Sequence, residues 1–134
     1  MVDIPRILIV DDDPDFVEAT KAFLETKPYQ VLTASNREEC LRNVKEESPD
    51  LIILDVMMKH MDSGFDICRT LKEDPQFAHI PILMITGVRE RVGFDFMAEA
   101  VDEDWLPADD YVPKPVKSAE LLRRVDALIK ASAA

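Results

Sequence analysis

Apolar residues in this chain come in short consecutive runs, and the runs end on reactive side chains. Ile7-Leu8-Ile9-Val10 leads into Asp11-Asp12-Asp13, and Leu51-Ile52-Ile53-Leu54 leads into Asp55. Ile82-Leu83-Met84-Ile85 leads into Thr86, and Tyr111-Val112-Pro113 leads into Lys114. A strand that is apolar at every position, not at alternate ones, is expected where helices cover both faces of a parallel sheet. Between the runs the apolar spacing changes to the helical period. Phe16, Val17, Thr20, Phe23 and Leu24 form one such stripe, and Leu121, Leu122, Val125, Leu128 and Ile129 form another. Strand and helix patterns therefore alternate, which predicts βαβ units and a doubly wound α/β sheet.

The ends of the helices are readable too. Asp13 followed by Pro14 predicts an N-cap with proline at the first helical position. A short strand is expected near Tyr29–Thr33. Ser35-Asn36-Arg37-Glu38 reads as a capping box that opens a second helix, with Leu41 and Val44 facing inward. A third helix carries Phe65, Ile67, Cys68 and Leu71 and stops before Pro75. From Gly87 to Asp110 the pattern weakens. Phe94, Phe96, Met97, Ala100 and Val101 hint at a short helix, but Asp102 to Pro107 reads as loop. The fourth crossover is accordingly expected to be irregular and extended.

A length of 134 residues without linker, repeat or low-complexity segment predicts one domain over 1–134, with no effector domain in this chain. Sixteen basic residues against twenty-seven acidic ones give a net charge of -11. That sign opposes nucleic-acid phosphates and favours cations or basic protein surfaces. Cys40 and Cys68 form no CxxC and have no paired histidines, so two reduced, partly buried thiols are expected. No run approaches the ~18 apolar residues of a membrane span, and Met1 to Pro5 lack the basic and apolar parts of a signal peptide. A cytoplasmic protein without membrane insertion is expected.

In an open parallel sheet the carboxyl ends of the strands share one edge, and ligands bind there. Asp11, Asp12, Asp55, Thr86 and Lys114 would then meet in one pocket. Three carboxylates at one edge repel one another, and a hard divalent cation with oxygen ligands relieves the repulsion. Asp11 and Asp12 are read as metal ligands, while Asp13 is read as the cap of the first helix. Asp11-x-Asp13-x-Asp15 imitates the start of a calcium loop, but Phe16 stands where glycine is needed and Ala22 where the last acid is needed. Asp55 is the expected nucleophile toward phosphorus. Phosphoryl transfer asks the protein mainly to position groups and neutralise charge, which suits Lys114 and the Thr86 hydroxyl. Pro113 and Pro115 on either side of Lys114 stiffen its backbone and fix its direction. No GxGxxG and no P-loop lysine motif occurs.

Four motifs taken together resemble the receiver domain of two-component response regulators. They are Ile7 to Pro14, Leu54-Asp55-Val56-Met57-Met58, Met84-Ile85-Thr86-Gly87, and Asp109-Asp110-Tyr111-Val112-Pro113-Lys114-Pro115. The resemblance covers nearly the whole chain. It implies a five-stranded flavodoxin-like fold. It also implies Mg²⁺-dependent (or Mn²⁺-dependent) transfer of a phosphoryl group to Asp55 from a sensor histidine kinase or phosphotransfer protein. It assigns the acidic pair to Asp11 and Asp12, a further metal contact to the Met57 carbonyl, and the switch pair to Thr86 and Tyr111. The face built by the fourth crossover, the last strand and the last helix would then meet a downstream protein.

Three departures stand out. Lys59 replaces the usual proline four residues after the acceptor, and Met61-Asp62-Ser63-Gly64 is one residue longer than the usual Met-Asp-Gly. The stretch from Thr86 to Tyr111 is longer than usual. Phe94 to Pro107 is either a segment specialised for one partner or a set of aromatics that pack into the core. Met57 and Val88 carry no group that could orient an attacking water, which predicts slow self-dephosphorylation. Two other readings compete: a vestigial receiver-like adaptor that is never phosphorylated, and an aspartyl-phosphate phosphatase. The intact set of site residues opposes the first. Met57, standing where such a phosphatase needs a second acid, opposes the other.

Overall fold

The computed structural model describes residues 4–56, 64–87, 108–114 and 116–133. Five strands form one parallel sheet in the order β2-β1-β3-β4-β5. They are β1 (Arg6–Val10), β2 (Gln30–Ala34), β3 (Leu51–Asp55), β4 (Ile82–Gly87) and β5 (Asp110–Lys114). Four helices are described: α1 (Pro14–Leu24), α2 (Arg37–Glu47), α3 (Gly64–Glu73) and α4 (Ser118–Ala133). The last of these is the Leu121–Ile129 stripe of the sequence. The expected irregular fourth crossover, including Phe94 to Pro107, lies outside the described residues.

The consecutive apolar runs are explained by two cores, one on each face of the sheet. Leu8, Val10, Ile52, Leu54, Ile82 and Met84 face Cys40 and Val44 of α2 and Ile67, Cys68 and Leu71 of α3. The intervening residues Ile7, Ile9, Leu51, Ile53, Leu83 and Ile85 face Leu24 of α1 and Leu121 and Val125 of α4. Both central strands are thus shielded on either side, and Ile7 to Val10 have no exposed surface. Each fully buried Leu or Ile contributes roughly 1.5–3 kcal/mol by leaving water.

Local chemistry sets the helix ends. Asp13 caps α1: its Oδ1 accepts from the Asp15 and Phe16 backbone N–H groups at 3.0 and 3.4 Å, with Pro14 at the start of the helix. At α2 the cap falls one residue later than Ser35. Asn36 Oδ1 accepts from the Glu39 N–H at 2.9 Å, and Glu39 Oε1 reaches back to the Ser35 N–H and hydroxyl at 2.8 and 2.9 Å. The box is Asn36/Glu39, and the acid returns to the residue before the cap. α2 ends on Ser48 in the left-handed conformation, φ 48° and ψ 64°. A non-glycine residue tolerates that region at modest cost, and Pro49 prevents the helix from continuing.

One contact ties distant parts of the chain. The Tyr29 hydroxyl donates to Asp126 Oδ1, joining the approach to β2 to α4. Burial, then the Asp126 carboxylate, pushes the Tyr29 phenol well above its ordinary value. A raised phenol pKa favours the protonated form in the folded chain. This contribution is therefore complete below the pKa of an unfolded tyrosine, about 10, and is lost as pH rises beyond it. Tyr29→Phe should lower stability by about 1–2 kcal/mol at neutral pH in urea titrations. The gap from wild type should narrow above pH about 10, and a constant gap would disprove the linkage.

Candidate functional site

Strand order reverses between β1 and β3. The chain leaves β1 for β2 on one side, and the later strands build out on the other. This is the switch point of a doubly wound sheet, where the loops at the carboxyl ends diverge and leave a crevice. Val10 pairs with Leu54, so Asp11 and Asp55, the next residues along, emerge level with each other.

Three carboxylates converge in that crevice. Ligand oxygens of Asp11, Asp12 and Asp55 all lie within 4.8 Å of one another. Asp11 is 2% exposed and Asp55 5%. Asp12 is half-buried. Asp11 is fixed on both sides: its N–H donates to the Ala34 carbonyl at 3.1 Å, and its Oδ1 accepts from the Asp13 N–H at 2.9 Å. The triple acid therefore divides its labour. Asp13 caps the helix, and Asp11 and Asp12 turn to the crevice. Hard carboxylate oxygens at this spacing suit a small divalent cation such as Mg²⁺.

The start of α3 packs against the backbone of Asp55 and Val56. The Gly64 N–H donates to the Val56 carbonyl at 3.0 Å. A Cβ at Gly64 would lie 2.1 Å from the Asp55 carbonyl oxygen and 2.8 Å from the Val56 Cα. Both are backbone atoms, so no side-chain rotation could relieve the overlap. Glycine is required here by close approach, and α3 rests directly on the peptide that follows Asp55.

Thr86 and Lys114 lie at the same edge by register. Asp55 pairs with Ile85, Thr86 with Pro113, and Gly87 with Lys114. Their side chains lie outside the described residues, as do Met57 and its carbonyl and the loop residues Lys59 and His60. Tyr111 is half-buried and packs against the core on the α3 side. Burial pushes its phenol up to about 12. Cys40 and Cys68 are free and fully buried, and burial pushes both thiols up to about 12. They are therefore protonated structural residues, not nucleophiles.

The sequence reading missed one wall of the crevice. A cleft of about 370 Å³ beside the acidic pair is lined by Asp11, Asp12, Pro14 and Val17 and also by Thr33, Ala34, Ser35 and Glu39. The latter group comes from the end of β2 and the start of α2. The signal was available: β2 is also parallel, so its carboxyl end must reach the same edge as the others.

Comparison with known proteins agrees with this geometry. Residues 7–126 match the family model described as the response regulator receiver domain. The chain is 39% identical over 127 residues to the alkaline phosphatase synthesis transcriptional regulatory protein PhoP of Bacillus subtilis, covering 95% of this chain and 49% of that protein. It is 37% identical over 125 residues to the response regulator PleD of Caulobacter vibrioides, covering 93% of this chain and 26% of that protein. The chain thus spans half or less of the length of these relatives. Among solved structures, the receiver domain of a signal transduction histidine kinase from Syntrophus aciditrophicus superposes with a TM-score of 0.81. It is 35% identical, with 95% of this chain and 91% of that one covered. Strand order, the acidic crevice and these matches agree, and the chain belongs to the receiver domain family of two-component response regulators.

Proposed function

We propose that this receiver domain accepts a phosphoryl group on Asp55 from a sensor histidine kinase or a phosphotransfer protein. The observation that carries the reading is the convergence of Asp11, Asp12 and Asp55 at the switch point of the sheet. An Asp55 carboxylate oxygen forms the new bond to phosphorus as the bond from phosphorus to the donor nitrogen breaks. Mg²⁺ (or Mn²⁺) held by Asp11, Asp12 and Asp55, with the Met57 carbonyl, would supply positive charge to the phosphoryl oxygens. Lys114 neutralises another phosphoryl oxygen, and the Thr86 hydroxyl turns toward a third. Thr86 and Tyr111 then act as the switch pair, shifting the population of a protein-binding surface beside β5 and α4. The chain acts as a signalling module that promotes its own phosphorylation, not as an enzyme turning over an external substrate. The proposed setting is the cytoplasm, where such kinases and transfer proteins present their phosphohistidine. Among the described residues no helix is long and apolar enough to cross a membrane.

Incubation with Mg²⁺ and acetyl phosphate should add one phosphoryl group to the wild-type mass and none to Asp55→Asn. A wild-type chain that stays unmodified with both acetyl phosphate and a histidine kinase would return the reading to the vestigial adaptor.

The crowded carboxylates generate a second expectation. Without metal they repel one another, so Asp12→Asn should stabilise the metal-free chain by about 1 kcal/mol. The same change should weaken Mg²⁺ binding by about tenfold or more, since even outer-shell changes have effects of that order. Thermal melts with a chelator and with Mg²⁺ test both. A lower melting temperature for Asp12→Asn in chelator would sink the repulsion account.

The phosphorylated form should lose its phosphate slowly, over minutes or longer, because Met57 and Val88 offer no polar group to orient water. Replacing Met57 with Asn should shorten the lifetime. Decay within seconds in the wild-type chain with Mg²⁺ present would contradict this.

A further inference from the structure

Lys72 follows Cys68 by one turn of α3, so the two share a helix face. The Lys72 ammonium spends its three donors on protein oxygens: the Ala78 carbonyl at 3.2 Å, the Ile80 carbonyl at 2.9 Å and Asp109 Oδ2 at 2.8 Å. Its side chain is 15% exposed. Asp109 in turn grips the start of β4 twice. Its Oδ2 accepts from the Ile82 N–H at 2.8 Å, and its own N–H donates to the Ile82 carbonyl at 2.9 Å. A single carboxylate thus joins α3, β4 and the entry to β5.

Tyr111 lies two residues beyond this junction. Its ring packs against the core cluster that contains Cys68, and Ala108 packs against the same cluster. A backbone hydrogen bond from Ala108 reaches its hydroxyl. Burial raises the phenol, the nearby Cys68, Asp109 and Asp110 add to the effect, and the Ala108 bond opposes it. The ring therefore sits in a slot with α3 on one side and the Ala108–Asp109 segment beside its hydroxyl.

We infer that the Lys72–Asp109 ion pair is a positioning device for Tyr111, holding the Ala108–Asp109 segment onto α3 so that the ring occupies its core-packed place before any phosphorylation. Its regulatory meaning rests on the reading of Tyr111 as a switch residue; the packing itself does not. Held this way, the inward ring is already populated in the resting chain, and phosphorylation of Asp55 needs to shift less. Opening the pair would leave the Lys72 ammonium, 15% exposed and still held by the Ala78 and Ile80 carbonyls, without its charged partner, while the 38% exposed Asp109 would turn to water.

The test uses the full chain labelled with 3-fluorotyrosine. Its two tyrosines give two ¹⁹F signals, assigned with Tyr29→Phe. Lys72→Met should move the Tyr111 signal toward that of an exposed tyrosine and enlarge its shift between H₂O and D₂O. The Tyr29 signal should stay in place, and Lys72→Arg should restore the wild-type spectrum. Should Lys72→Met fail to fold, Asp109→Asn decides, because it keeps an oxygen for the Ile82 N–H and removes the charge facing Lys72. A Tyr111 signal unmoved in the folded variant overturns the proposal. Intact mass after acetyl phosphate and Mg²⁺ is read on the same samples. A wild-type chain that takes no phosphate from acetyl phosphate or from a histidine kinase defeats the phosphoacceptor reading and leaves the fluorine result standing, while phosphorylation with an unmoved Tyr111 signal defeats the positioning role alone.

Discussion

Burial on both faces of β1 and β3 is the constraint from which the rest of this chain follows. Ile7 to Val10 and Leu51 to Leu54 are shielded by α2 and α3 on one side and by α1 and α4 on the other. Strands so enclosed can present a polar group only where they end. The first residue after each run is an aspartate, and the parallel register brings the two level. The hydrophobic sheet is thus the rigid frame on which mutually repelling carboxylates can be kept close together. A softer frame would let Asp11, Asp12 and Asp55 relax apart, and the site would lose the geometry that favours a divalent cation over water.

The electrostatics of the two sheet edges differ in kind. At the amino edge Arg6, Asp50, Lys72 and Asp109 bond to backbone or to an opposite charge. The Arg6 guanidinium donates to the Glu47 carbonyl at 2.7 Å, its N–H donates to Asp50 at 2.7 Å, and Lys72 and Asp109 close on each other. At the carboxyl edge like charges face one another across the crevice. One edge is where the chain secures its loops, and the other is where it gathers three carboxylates in a crevice. A net charge of -11 deepens the negative potential around that crevice and favours cations and basic partner surfaces.

Much of this was legible in the sequence, for identifiable reasons. Runs such as Ile82–Ile85, short and bounded by turn residues, fit a strand shielded on both faces, and Asp13-Pro14 favours a helix start. Asp11 and Asp55 were legible because a strand's end fixes where the next side chain emerges. The α2 cap was read one residue early because Ser35 and Asn36 are both good caps, and local sequence cannot choose between them. The structure chooses Asn36 because β2 runs through Ala34, which leaves Ser35 to receive Glu39. The β2 wall of the crevice was passed over because Ala34-Ser35 carries no striking chemistry of its own. Its contribution appears only once β2 is laid beside β1.

Least legible was the junction around Asp109. In sequence it is one acid of an Asp109-Asp110 pair before a strand, and nothing local separates the two. In space they take different partners: Asp109 meets Lys72 and Ile82, while Asp110 Oδ1 accepts from the Tyr111 N–H and from Arg124 of α4 at 2.8 and 2.6 Å. The pair therefore straddles the edge strand, with one carboxylate bound to the helix on one face of the sheet and the other bound to the helix on the opposite face. An edge strand has a neighbour on only one side, β4 in this case, so its outer backbone contributes little to holding it in place. Charged tethers to α3 and α4 take over that task, and they act on the two residues immediately before Tyr111. β5 is thus secured by its register with β4, by the buried Val112 and, at the two residues before Tyr111, by charged tethers to both faces of the sheet.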